Sequence, residues 1–185
     1  QDRIAINVTA IGRIARAKVK YRSGARENDI VYVTGYLGDS AQGLLDIRSG
    51  VYDSPFIAVH HDPHPCVNEG IWLGNQPEVH AMMDISDGLA SDLPHILEES
   101  ETGAEISIER IPTRTTVELA VTGGEDYQLL LTVGAEAADR IAAEYVRHFG
   151  KPLYGIGRIR SGAPDIIWSD NGEVVRPQWK GFRHF

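Results

Sequence analysis

Asp84, Ser86 and Asp87 place two carboxylates and a hydroxyl within four positions of the run Met83-Asp84-Ile85-Ser86-Asp87-Gly88-Leu89-Ala90-Ser91-Asp92-Leu93. The apolar run Val79 to Ile85 before them reads as a strand. Leu89, Leu93, Ile96 and Leu97 after them have the i, i+4, i+7, i+8 spacing of a buried helical stripe. The acids therefore sit where a strand gives way to a helix. Free N–H groups and the helix dipole favour an anion at such a point, yet carboxylates there repel a phosphate unless a cation stands between them. Hard oxygen donors suit magnesium, so the pattern reads as phosphate handled through a divalent metal. An isolated D-x-S-D-G is equally compatible with Ser86 or Asp87 capping the helix and Asp84 solvated. Asp92 lies about 140° further round the helix than Asp87 and is not expected to share its face.

Other stretches carry weaker signals. Asp29 to Thr34 is a β-branched run stopped by Gly35, after which Gly38-Asp39-Ser40 opens a short helix with Ala41, Leu44 and Leu45 expected inward. A strand, a glycine turn and a helix start commonly meet phosphate, but the glycines lack the Rossmann or P-loop spacing. Gly123 and Gly124 permit a tight bend that exposes Glu125 and Asp126 at the mouth of a strand from Gln128 to Val133, or simply an ordinary turn with solvated acids. GGEDY also differs in acid order from the GGDEF signature, and the rest of that domain is absent. His60-His61-Asp62-Pro63-His64-Pro65-Cys66 lacks the spaced Cys/His pairs of a zinc site, and adjacent histidines rarely face one ion. It reads as surface, within a loop expected from Gly50 to Pro65.

The elements that must position these residues follow from pattern and composition. Ile4, Ile6 and Val8 alternate as a half-buried strand within residues 3 to 14, and Ala104 to Ile108, Leu153 to Ile159 and Asp165 to Trp168 read as further strands. Ala138, Ile141, Ala142, Tyr145 and Phe149 share one helix face that ends at Gly150. With 185 residues, 42% of them apolar, the chain can bury one proper core. A net charge of −8 without a basic stripe argues against nucleic acid. One cysteine, Cys66, excludes an internal disulfide and fits a reducing compartment. No apolar run approaches a membrane span and no signal peptide is evident, so a soluble cytoplasmic protein is expected. The aromatic tail from Pro177 to Phe185 either packs into the core or walls a planar ligand.

Four pieces in order, RSGA-x-x-x-D-x-x-YVTG-x-LGDSAQGL, MDISDGLASDL, TGGEDYQLL and WKGFRHF, closely resemble the thiamine-monophosphate kinase family of the aminoimidazole-ribonucleotide synthetase superfamily. The likeness runs from about Ile4 to Phe185. It implies an α/β (α+β) fold, a mixed sheet packed with helices, with residues 21–185 as the C-terminal domain. Residues 1–20 are then a remnant of an N-terminal dimerisation and ATP-binding domain, so the chain is expected to be a fragment of a homodimer. The family's Gly-Gly-Asp turn is expected just before residue 1, and the Pro112–Thr116 connection looks short. The implied reaction is transfer of a phosphoryl group from ATP to thiamine monophosphate, giving thiamine diphosphate, assisted by several Mg2+ ions. The acceptor phosphate, with a second pKa near ~6, needs no general base. By resemblance, Asp84 and Asp87 are metal ligands, and Ser86 and Arg22 contact ATP. Glu125 contacts thiamine phosphate, and Trp179 lies against the thiazolium, where a ring face favours a cation. The competing expectations are a superfamily enzyme with an amide, formyl or selenide acceptor, and a catalytically silent binding or dimerisation domain.

Overall fold

Among the described residues, seven strands, β1 (Ile30–Val33), β2 (Val79–Ile85), β3 (Gly103–Ser107), β4 (Gln128–Val133), β5 (Tyr154–Arg160), β6 (Ile166–Asp170) and β7 (Glu173–Val175), form one sheet. Their order is β2-β4-β1-β5-β3-β6-β7 in this computed structural model, which describes residues 6–179. Neighbours run antiparallel except β3 and β6, which are parallel. Among the described residues, six α-helices accompany the sheet: α1 (Asp39–Arg48), α2 (Pro55–His61), α3 (Val67–Gly74), α4 (Leu89–Ser100), α5 (Val117–Thr122) and α6 (Ala138–Phe149). The mixed sheet with helices is the expected class.

Side chains of a strand alternate between faces, and β1 shows it: Val31 and Val33 join one core, Tyr32 the other. On the first face, α4 and α5 lay Leu89, Leu93, Ile96, Leu97, Ala120 and Val121 against β1, β2 and β3. All four predicted α4 positions are fully buried, each contributing roughly 1.5–3 kcal/mol. On the second face, Ile141 and Tyr145 of α6 and Leu73 of α3 meet Tyr32, Leu131 and Val133. Gly150 ends α6 in the left-handed conformation, as its sequence position suggests.

Three expectations need correction. Residues 6–14 form no strand, and Ile6 and Val8 stand 85% and 87% exposed. Alternation alone does not make a strand where no neighbour pairs with its N–H and C=O groups; Ile4 lies outside the described residues. The segment from Gly50 to Pro65 is not all loop, because Ser54 caps α2 through Phe56 N–H and Pro55 occupies its first turn. In α1, Ala41 and Leu44 are half-buried but Leu45 is exposed. The contact is made at Gly43 instead, where a Cβ would fall 2.3 Å from Phe56 O, so the bare glycine lets α2 lie on the helix. No described helix is long and apolar enough to cross a membrane.

Candidate active site

The edge strand β2 ends at Ile85, and the chain turns through Ser86 and Asp87 before Gly88 starts α4. Gly88 holds φ +95°, and a Cβ there would meet Gly123 O at 2.7 Å, so glycine is required both for the turn and for the approach of the second loop. Asp92, buried in the first turn of α4, accepts the N–H groups of Ser86 (3.0 Å) and Asp87 (2.9 Å) on its Oδ2. Two N–H groups that could have faced a phosphate are thereby committed to a carboxylate. Burial raises the Asp92 pKa most, and the charges of Asp87 and Asp84 raise it further against those two N–H bonds. Three acids thus bear on one point, which favours a cation over a bare anion.

Asp84 is exposed on β2, opposite Leu129 of β4, at the rim of an apolar groove of about 490 Å³ that includes Tyr127 and Cys66. Among the described residues, no group of three His, Cys, Asp or Glu side chains is placed to hold a metal ion. Asp84 and Asp87 can instead offer two carboxylates, the number with which magnesium is usually held when phosphate oxygens and water complete its shell.

The GGEDY loop lies directly on this turn. Glu125 N–H donates to Ser86 O (2.8 Å) and Tyr127 N–H to Ile85 O (2.9 Å). A Cβ on Gly124 would meet Ser86 O at 2.5 Å. Glu125 and Tyr127 both hold positive φ, +65° and +49°, which costs non-glycine residues on the order of 1–3 kcal/mol each. Glu125 turns outward, its carboxylate 3.6 Å from Nδ1 of His60, and that nitrogen is also 2.9 Å from Ser40 Oγ. His60 is therefore no idle surface residue.

Asp126 turns the other way. It was expected at the mouth of the strand, but it is 6% exposed and accepts the N–H groups of Gly38 (2.7 Å) and Ser40 (3.2 Å) at the start of α1. Burial lifts its pKa to about 6, with Asp39 adding to the rise and the N–H groups opposing it. Asp39, also buried, pairs through Oδ2 with Arg114, whose guanidinium lies 4.8 Å from the Tyr36 ring centroid. Asp39, Arg114 and Asp126 are contributors that spacing alone did not single out, and the expectation that Asp92 stands apart from Asp87 is corrected, because Asp87 lies in the turn before α4 begins at Leu89 and the helical angle does not separate them. The only signal for Asp39 and Asp126 was their place inside the GDS and GGED runs.

Of the six expected site residues, the structure gathers Asp84, Ser86, Asp87 and Glu125 around one turn. Arg22 is not brought to it. Its backbone sits in a short 3₁₀ turn against Ser100, whose hydroxyl donates to Arg22 O at 2.7 Å, at the far end of α4. The 12 residues of α4 put roughly 18 Å between that end and Ser86. Trp179 packs edge to face on Trp168 of β6, centroids 5.2 Å apart, and four strands lie between β6 and the β2 strand that carries Asp84. The remainder of WKGFRHF, from Lys180 on, lies outside the described residues.

Residues 26–168 match the family described as AIR synthase related protein, C-terminal domain. The chain belongs to that family. Within it, the chain is similar to the thiamine-monophosphate kinase of Escherichia coli K12, at 34% identity over 191 residues. That alignment covers 94% of this chain and 58% of the relative, so the chain spans well under two thirds of the length of this curated relative. A crystal structure of thiamine-monophosphate kinase from Stenotrophomonas maltophilia K279a superposes with a TM-score of 0.76 at 27% identity, covering 88% of this chain and 56% of that one. AaThiL complexed with AMPPCP and TMP superposes at 0.67 and 31% identity, covering 87% and 53%. The family likeness carried by the DISDGL and GGEDY motifs is borne out, and so is the fold.

Proposed function

We propose that this chain takes part in ATP-dependent phosphorylation of thiamine monophosphate to thiamine diphosphate. The observation that carries the reading is the bond from Glu125 N–H to Ser86 O, which locks the GGEDY loop onto the acid-bearing turn. Its similarity to a ThiL protein complexed with AMPPCP and TMP supports the substrate pair. Asp84 and Asp87 hold Mg2+, Ser86 presents its hydroxyl to the ATP phosphates, and Glu125 faces the thiamine phosphate. Held by the Asp84 and Asp87 carboxylates, Mg2+ would supply the positive charge that offsets repulsion between the donor and acceptor phosphates. Asp92 keeps the Ser86–Asp87 turn in place, and Asp126 holds the start of α1 to the GGEDY loop. No general base is needed, because the acceptor phosphate, with a second pKa near ~6, is already largely a dianion at neutral pH.

Catalysis then rests on positioning and charge stabilisation rather than on a covalent intermediate. Residues 1–20 belong with the ATP-binding and dimerisation part of a homodimer, and the exposed Ile6, Val8, Ile11 and Ile14 suit such a contact. Arg22 and Trp179 serve ATP and the thiazolium only if a second subunit or a rearranged tail brings them in. Titration calorimetry tests the reading. Thiamine monophosphate with Mg2+ and AMPPCP is expected to bind saturably, with the heat lost in Asp87→Asn and in Glu125→Ala. Undiminished binding in both variants would contradict the assignment.

A further inference from the structure

His60 ends up between α1 and the GGEDY loop, and packing rather than its own sequence neighbourhood puts it there. His61 and His64 beside it are exposed, whereas the His60 side chain is 16% exposed. A Cβ on Gly43 of α1 would fall 2.9 Å from the Cβ of His60 and 2.3 Å from Phe56 O. The bare glycine therefore lets the last turn of α2 press onto α1. That contact delivers the imidazole to Ser40, a buried residue in the first turn of α1. Nδ1 then lies 2.9 Å from Ser40 Oγ and 3.6 Å from Oε2 of Glu125.

The two neighbours decide which ring nitrogen carries a proton. A bare Nδ1 would turn its lone pair on a carboxylate oxygen. A protonated Nδ1 donates to Ser40 Oγ and presents a positive edge to Glu125. At 3.6 Å the contact with Glu125 is no hydrogen bond, so it acts through charge and dipole. Ser40 is tied back to the same loop, because its N–H donates to Oδ1 of Asp126, the residue after Glu125. The contacts thus close a ring through Glu125, His60, Ser40 and Asp126. Glu125 gains from that support, since its side chain is 59% exposed. A glutamate free in solvent samples many rotamers, and ordering it only when a ligand arrives weakens binding.

We infer that His60 is a positioning residue, whose Nδ1–H sets the direction of the Glu125 carboxylate before the substrate arrives. The assignment rests on the phosphoryl-transfer reading for the ligand that Glu125 meets, and on geometry alone for the contact between the two side chains. The backbone of Glu125 is already fixed by its N–H bond to Ser86 O. With His60 in place, the side chain is fixed as well, and the acid-bearing turn and this carboxylate form one preset surface.

Two measurements on the whole chain test this. With isotope-labelled histidine and no ligand, the ring nitrogens of His60 are identified by NMR from their loss in His60→Asn. Nδ1 is expected to carry the proton and to shift in Glu125→Gln. A bare Nδ1, or one indifferent to Glu125→Gln, overturns the proposal. Calorimetry of thiamine monophosphate with Mg2+ and AMPPCP reads the consequence. His60→Ala should weaken binding by about 2- to 10-fold, the effect of having to order one long side chain. Asparagine carries an N–H where Nδ1 stood and should recover the affinity to within about twofold, whereas glutamine, closer to histidine in volume, carries its N–H one bond further out and should not. Recovery by glutamine equal to or better than that by asparagine marks a packing role and overturns positioning. A parent chain that gives no heat with thiamine monophosphate overturns the phosphoryl-transfer reading instead, and the histidine signals still decide whether His60 holds Glu125.

Discussion

Replacing Asp126 by asparagine isolates the charge that joins the two site loops. In the folded chain burial lifts its pKa to about 6, above the ordinary value of 3.8 that holds once the chain unfolds. The folded state therefore binds the proton more tightly than the unfolded state between those values. The contribution is fully present below pH ~3.8 and is lost as pH rises through about 6, an integrated change of about 3 kcal/mol. Asparagine cannot ionise and so removes this slope. It also sets an NH2 group against either Gly38 or Ser40 N–H, since only its oxygen can accept, and this costs roughly 1–3 kcal/mol at every pH. Asp126→Asn is thus expected to be destabilising by that amount near pH 4 and neutral to about 2 kcal/mol stabilising at pH 7. Urea unfolding of both proteins at several pH values between 4 and 7.5 measures the difference directly. The remaining carboxylates, Asp92 with its raised pKa and Glu69 with its lowered one, cancel in the comparison. Parallel stability curves for the two proteins would refute the claim that Asp126 is held, desolvated, between the loops.

Gly88→Ala forces a Cβ onto φ +95° and within 2.7 Å of Gly123 O, so a loss of about 1–3 kcal/mol in unfolding free energy is expected, with weakened metal-dependent ligand binding. Arg114→Ala strands the buried Asp39 carboxylate; because the guanidinium is half exposed, the expected loss is about 1–3 kcal/mol rather than the 3–5 of a fully buried pair, and adding Asp39→Asn should restore part of it in denaturant melts. Leu93→Ala empties a fully buried position of α4 and should cost about 2–5 kcal/mol while leaving the pH dependence set by Asp126 unchanged.

The α4 stripe was legible because a 3.6-residue period survives wherever one helix face is fully buried, and Leu89, Leu93, Ile96 and Leu97 all are. The junction of strand and helix at Ser86 was legible for the same reason. The opposed directions of Glu125 and Asp126 were not, since the bend at Gly123 and Gly124 takes its direction from packing on Ser86 O, a residue nearly forty positions away. The N-terminal alternation of Ile6 and Val8 misled because a strand needs a partner that pattern cannot supply. The start of α2 was readable in hindsight from Ser54 before Pro55, a cap followed by a first-turn proline. Arg22 and Trp179 were proposed from likeness, and no spacing rule measures how far the two ends of α4, or the two edges of a seven-stranded sheet, lie apart.

Paramagnetic broadening by Mn2+ in place of Mg2+, recorded with AMPPCP on the isotope-labelled chain, puts the cation itself on the map. Loss of the amide signals of Asp84 to Asp87 and of Glu125, abolished in Asp84→Asn/Asp87→Asn, is the predicted result. Broadening centred on His60 to His64, or unchanged in the double variant, would contradict the metal assignment on which the phosphoryl-transfer reading depends.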